Sequence, residues 1–357
     1  MHPFRPVLLQ FPPLHDTPGG TPRPATQLSV RPMQGGLIND TFALGRLWVL
    51  QRLHPIFAAE VNLDIAALTP HLLRAGVEVP TLASSRRGQP WVAIDAAEHP
   101  DLAGIWRVMT RLPGRTLHRV TGPAQARSAG HLAARFHGGL CGVDHAFHFT
   151  RPGAHDTDKH LAALAEALQA HPAHRLHAEV GALHDELANR WQHWGRPPHL
   201  PTRIVHGDLK VSNLLFDDAG EAIAVLDLDT MAHGSLDVEL GDALRSWCNV
   251  GAEDDAEPRF DADVCLAALD GYLEAAAPWI TQEEVAALVP GAERIALELS
   301  MRFAADALNE RYFGWNPQRA PSRGEHNLLR ARNQLGLARD LVGQRVGLER
   351  ALAGKGG

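Results

Sequence analysis

HGDLKVSNLLFDDAGEAIAVLDLD, residues 206–229, decides how this chain reads. The apolar Ile204 and Val205 precede it, and two more apolar runs, 214–216 and 222–226, lie inside it, so the segment reads as short strands joined by loops. Asp208, Lys210 and Asn213 fall in the first loop, and Asp227 arrives at the end of the later strand, fourteen residues beyond Asn213. Each aspartate is ordinary at a turn or strand end. Together they bring two carboxylates, an amide and a cation around one space. Phosphoryl transfer needs that inventory: a carboxylate to receive a hydroxyl proton, an amide oxygen and a second carboxylate to hold a divalent ion, and cations for the phosphates.

Outward from this island the pattern divides the chain in two. Residues 1–25 are rich in proline and glycine and read as a flexible leader, followed by a strand over 26–31. QGGLINDT, 34–41, is a glycine-bearing turn, and 42–53 reads as two strands hinged at Gly45. Val61, Ile65, Leu68, Leu72 and Leu73 recur at helical spacing over 58–75, and Gly76 ends that helix. Strands at 81–84, 91–95 and 105–112 lead to Pro113 and Gly114, a hinge. Beyond it, 123–140, 158–168, 174–194 and the chain after Asp261 are helical by period. The expectation is an α+β protein of two lobes, a small antiparallel sheet over 26–112 and a larger, mainly helical part over 113–357.

Composition excludes several classes. With 45% hydrophobic and 21% charged residues among 357, the chain reads as globular and soluble. Its 41 acidic and 34 basic residues give a formal charge of −7, so neither nucleic acid nor an anionic membrane is an expected partner. Cys141, Cys248 and Cys265 are scattered and odd in number, which points to the cytosol rather than to a disulfide framework or zinc site. Pro12 and Pro13 break the only apolar run near the start, against a signal peptide. His171, His174 and His177 read as a solvated helix face rather than a metal site.

HGDLKVSN, then VLDLD, then GDALR resembles the signature of the aminoglycoside phosphotransferase and choline kinase superfamily. The resemblance implies a bilobal, protein-kinase-like fold and a reaction with ATP and Mg2+. It implies Asp208 as catalytic base, Asn213 and Asp227 as magnesium ligands, and Lys210 steadying the transferred phosphate. His206 and Asp242 become structural, the aspartate holding the catalytic loop through its backbone or histidine. The first lobe then binds nucleotide, with Gly35, Gly36 and Asn39 in the phosphate-covering loop and Thr110 and Leu112 offering hinge backbone to adenine. Strand 47–53 carries no lysine; Arg52 is the cation in place, with neighbouring Gln51 as the alternative, and Glu60 or Asp64 as its acidic partner.

GGLINDT with VLQRL, RPGAHDT, VLDLDTM with GDALR, and RFAADAL to HNLLRARNQL look more narrowly like N-acetylhexosamine 1-kinases over residues 30–340. That likeness implies a sugar acceptor, phosphorylated at its anomeric hydroxyl, and Arg302, Arg245, Trp247 and His155 or Asp156 as its contacts. Leu37 and the run Asn309, Glu310, Arg311, Tyr312, Phe313 depart from that group's pattern. Two rival expectations stand beside it. An aminoglycoside or other amino-alcohol kinase needs an acidic acceptor pocket, for which Asp254, Asp255 and Glu257 are the cluster at hand; the missing lysine instead fits a catalytically weak, pseudokinase-like nucleotide-binding protein.

Overall fold

The computed structural model describes residues 3–33 and 38–353. In chain order they form α1 (Arg5–Leu8), β1 (Val30–Pro32), β2 (Asp40–Leu44), β3 (Trp48–Arg52), α2 (Val61–Arg74), β4 (Val92–Ile94), β5 (Gly104–Thr110), β6 (Arg115–Thr116), α3 (Pro123–Gly139), α4 (Thr157–Ala170) and α5 (His177–Trp194). There follow β7 (Arg203–Val205), β8 (Leu214–Phe216), β9 (Ala222–Val225), β10 (Ala232–Gly234), α6 (Leu236–Trp247), α7 (Ala262–Ala276), α8 (Gln282–Asn309) and α9 (Arg323–Ala353). None of the described helices is long and apolar enough to cross a membrane.

The first five strands make an antiparallel sheet in the order β1-β2-β3-β5-β4. Hairpin β2–β3 turns at Gly45, where φ is 59°, a conformation that suits a residue without Cβ. Alternation along the strands sends Leu44, Leu50, Trp106 and Val108 to one face and Gln51 and Arg107, a directly paired couple, to the other.

The leader corrects the sequence reading, because it is packed rather than loose. Val7, Leu8, Phe11 and Leu14 are buried against Leu28, Leu44, Leu50, Trp106 and Val108. His15 O accepts the Trp48 indole N–H at 2.6 Å, and Asp16 accepts the Arg46 backbone N–H at 2.8 Å. Prolines set the turns of this segment, but its apolar side chains cover the sheet face turned away from α2. Other boundaries moved less: the first strand begins at Val30 because 25–27 form a tight turn, and 81–84 contribute only a bridge from Leu82 to Met109.

In the helical part, glycines set how closely helices cross. A Cβ on Gly130 of α3 would collide with Ala268 O of α7, and one on Gly291 of α8 with Asp237 O of α6. These contacts seat α6 beside the 206–229 island, whose strands lie in two small sheets, β6-β8-β9 and β10-β7. A second cluster joins α4 and α5 to α8 and α9.

Because Phe11 is 1% exposed within the sheet core, Phe11→Ala should lower unfolding stability by about 3–5 kcal/mol in a denaturant titration. A change under about 0.5 kcal/mol would mean the leader is loose after all.

Candidate active site

The catalytic loop is held from beneath by side chains. Gly207 adopts φ 78° and passes so close to Thr230 O that a Cβ would have no room, while the Thr230 hydroxyl donates to His206 O at 2.8 Å. His206 is buried; its Nε2 donates to Leu226 O at 2.7 Å and its Nδ1 accepts the Asp208 N–H at 3.3 Å, so one neutral tautomer joins the two acid-bearing segments. The two oxygens of buried Glu239 accept the backbone N–H groups of His206 and Gly207, each at 2.9 Å. Burial opposes ionisation of Glu239, but hydrogen bonds from His137 and this backbone hold its pKa below the usual carboxylate value. Glu239, on α6, thus occupies the supporting place expected for Asp242. Asp242 sits one helical turn later and pairs with Arg245 at 2.7 Å. Trp247 is another correction: it is 3% exposed and donates its indole N–H to Leu209 O at 3.0 Å, so it braces the loop from the core.

At the surface of the loop, Asp208 Oδ2 accepts Lys210 Nζ at 2.5 Å and Asn213 Nδ2 at 3.1 Å, and Asn213 Nδ2 also reaches Asp208 O at 2.8 Å. Desolvation works against the Lys210 charge, but Asp208, Asp227 and Asp242 raise its pKa. Asn213 Oδ1 and the Asp227 carboxylate accept no hydrogen bond from any described residue. Asp227 also occupies the left-handed region, φ 60° and ψ 56°, uncommon for a residue with a side chain. By surface area Asp227 is exposed to solvent, although protein atoms crowd the neighbourhood of its carboxylate. Burial, then Asp229, then Asp208 push its pKa up to about 6. An amide oxygen and a carboxylate without donors, beside two further carboxylates, form a hard oxygen set that fits a magnesium-like cation.

Asp229 is turned the other way. It is 1% exposed and receives Arg107 in a bidentate pair, at 2.5 and 2.8 Å, and Asn39 Nδ2 at 2.9 Å. The remaining Arg107 donors go to Gln51 Oε1, at 2.8 and 2.5 Å, and Asn62 Oδ1, at 3.1 Å. All five guanidinium N–H groups are therefore engaged. The network ties β5, β3 and α2 to the segment bearing Asp227.

This arrangement decides several expectations. Gln51 faces the Asp229 side, whereas Arg52 lies on the leader face, bonded to Asp40 at 2.7 Å and to Asp101 O at 3.2 Å and lying over the Trp106 ring. Asn39 is spent on Asp229 and the His54 N–H rather than left for nucleotide. Neither proposed acidic partner meets Arg52: Glu60 is exposed, and Asp64 is turned to His145 and His148. Thr110 has its N–H on Thr81 O, while Leu112 makes no hydrogen bond to a described residue. Gly35 and Gly36 lie outside the described residues. Sequence reasoning missed Arg107, Asn62 and Glu239; a lone arginine inside IWRVMT was the available signal, because a charge in an apolar strand demands a partner.

Beyond Lys210 a polar wall continues through Asp242, Arg245, His155 and Arg302. Arg245 is divided between Asp242 and Glu253, at 2.7 and 3.1 Å. His155 Nδ1 lies 3.0 Å from Glu298, and although burial presses its pKa down, that glutamate and Asp242 raise it above the usual imidazole value. Asp156 caps α4 through the Lys159 N–H. Arg302 makes no ion pair with a described residue and lies 5.7 Å from the Phe313 ring centre. The acidic cluster is partly paired instead: Arg319 binds Asp254 and Asp255, His326 also donates to Asp254, and Glu257 lines a separate surface groove. Likewise His171 and His174 are bonded to Asn309 and Glu310.

A homoserine kinase of Rhodopseudomonas palustris (strain HaA2) is 26% identical over 228 residues, which cover 62% of this chain and 64% of that relative. The chain thus spans under two thirds of the relative's length. Among solved structures, an amicoumacin kinase in complex with AMP-PNP and Ca2+ superposes with a TM-score of 0.59 at 16% identity, over 93% of this chain and 91% of that one. A microcompartment-associated aminopropanol kinase gives 0.60 at 16% identity, over 89% and 94%. These likenesses show a shared kinase fold, a sheet-based amino-terminal region joined to a helical carboxy-terminal one. The sequence pattern of the phosphotransferase enzyme family matches residues 29–279, most of the chain, and the chain belongs to that family.

Proposed function

We propose that this protein transfers the γ-phosphoryl group of ATP to a hydroxyl of a small molecule, with Mg2+ held by Asn213 and Asp227. The observation that carries this reading is that Asn213 Oδ1 and the Asp227 carboxylate receive no donor from the described residues beside Asp208, whose Oδ2 is fixed by Lys210 and Asn213. Homology supports it, since the family is one of phosphotransferases and a related fold binds AMP-PNP with Ca2+.

In this reading residues 26–112 are the nucleotide lobe, and the chain crosses near Pro113 to the catalytic lobe, with the Leu112 backbone, unbonded to any described residue, placed to meet adenine. Asp208 orients the acceptor hydroxyl and takes its proton as the phosphoryl group transfers. Lys210 holds the Asp208 carboxylate in place and offers charge to the phosphoryl oxygens. When bound, the cation neutralises charge on the β- and γ-phosphates. Arg107 has no N–H left for a phosphate. It is a positioning residue that fixes Asp229 and, two residues away, Asp227.

For the acceptor we favour a hexose or N-acetylhexosamine phosphorylated at the anomeric hydroxyl, with Arg302, Arg245 and His155 as contacts. The wall of mixed donors and acceptors beside Lys210 supports a polyhydroxy ligand. An amino-alcohol acceptor is the second reading, favoured by the homoserine kinase relative. Pairing of Arg319 with both Asp254 and Asp255, which cancels one of their two charges, weakens the case for an acidic, aminoglycoside-type pocket.

An ADP-release screen over hexosamines, hexoses, homoserine, choline and aminoglycosides should show turnover with one acceptor class, and Asp208→Asn should reduce kcat by at least about a hundredfold while ATP affinity stays within a few-fold. No release with any acceptor would favour the pseudokinase-like alternative.

Asp227 yields a pH prediction. Its folded pKa, about 6, exceeds the ordinary 3.8, so in cation-free protein its ionisation disfavours folding. Stability should fall as pH rises from about 4 to 6, Mg2+ should restore it above that window, and Asp227→Asn should flatten the profile in thermal melts. Mg2+-dependent nucleotide binding should weaken as pH drops through about 6, where protons compete for the carboxylate.

Arg107→Met strands a buried carboxylate and should cost about 3–5 kcal/mol of stability. Adding Asp229→Leu should recover most of that loss in denaturant titrations while kcat stays low. Full recovery of kcat in the double variant would remove Arg107 from its positioning role.

A further inference from the structure

We propose that Asp64, His145 and His148 form a second cation site, selective for a borderline-soft divalent ion such as zinc, which clamps α2 to the segment following α3. His145 Nε2 lies 2.9 Å and His148 Nδ1 2.8 Å from the same oxygen, Asp64 Oδ1, and the three ligand atoms fall within 4.8 Å of one another. That oxygen also accepts the His148 backbone N–H at 2.9 Å. Without a cation, three donors converge on an atom with two lone pairs. With one, both imidazoles turn lone pairs rather than N–H groups inward, and the crowding is relieved.

The donor chemistry selects the ion. Two imidazoles and one carboxylate suit zinc, cobalt or nickel, whereas magnesium prefers the oxygen set of Asn213 and Asp227. Bonds of about 2.0–2.2 Å in tetrahedral geometry separate ligand atoms by about 3.3–3.6 Å, so each ring would move about half an ångström away from the Asp64 oxygen while the two ring nitrogens settle to the same spacing. Asp64 is 2% exposed and steadied by the Phe149 N–H on its other oxygen at 3.1 Å, whereas the His148 ring, 46% exposed, leaves a path for entry and a fourth position for water. The His145 carbonyl is itself held by His233 Nε2 at 2.9 Å. Helix α2 also carries Asn62, a partner of Arg107, so the clamp stiffens the helix on which the Asp229 network rests.

The test is titration of full-length, chelator-stripped protein with CoCl2, read by the visible absorption of tetrahedral cobalt, followed by ZnCl2 displacement in a calorimeter. One equivalent should bind and raise the melting temperature. His148→Ala, at a half-exposed position that tolerates truncation, and His145→Ala should each weaken binding by more than about tenfold, and Asp227→Asn should leave the cobalt spectrum unchanged. Absence of the tetrahedral band, unchanged affinity in both histidine variants, or loss of the band in Asp227→Asn would overturn the proposal.

Discussion

A guanidinium inside a β-sheet has to be answered by a carboxylate, and in this protein the answer to Arg107 is Asp229, from the far side of the molecule's two halves. Both are almost fully buried, so neither can trade its partner for water. Gln51 and Asn62 take the remaining donors and Asn39 adds a bond to the carboxylate, which joins two strands, a helix and the 227–229 segment in one network. Arg107 acts in this network by holding a carboxylate in place.

The catalytic loop is stabilised by the opposite logic. Its backbone donors and carbonyls are satisfied from below by Glu239, Trp247, Thr230 and the ring of His206. The upper side is left under-coordinated: Asp227 receives no donor from the described residues and has a left-handed backbone and two neighbouring carboxylates. Concentrating negative charge is unfavourable by itself, and the same repulsion would favour a bound cation. Rigidity below and unmet charge above are complementary, because a donor-poor carboxylate is useful only if it cannot relax away.

Support for the sheet comes from an unexpected place. The amino-terminal segment supplies the apolar cover that α2 cannot, since α2 lies on the polar Gln51 and Arg107 face. Arg52 belongs to the leader-covered face and is occupied there by Asp40 and Trp106. On the helical side, backbone-close crossings at Gly130 and Gly291 place α6 so that one face carries Glu239 under the loop and the next turn carries Asp242 and Arg245 beside it.

The sequence by itself determined the two-part architecture, the approximate bounds of α2 to α5 and of β2 to β5, and the gathering of Asp208, Lys210, Asn213 and Asp227, because these rest on periodicity and on spacing within one short island. It could not decide which of Gln51 and Arg52 faces the site, since adjacent strand residues point oppositely and the covering layer chooses between them. It misjudged the leader, whose apolar side chains have meaning only against a sheet assembled elsewhere. It assigned to Asp242 the support that Glu239 gives, one turn away on the same helix, where only packing fixes the rotation. Arg107 and Asp229, separated by 122 positions, became a pair only when the sheet and the island folded against each other and neither charge had water left to turn to.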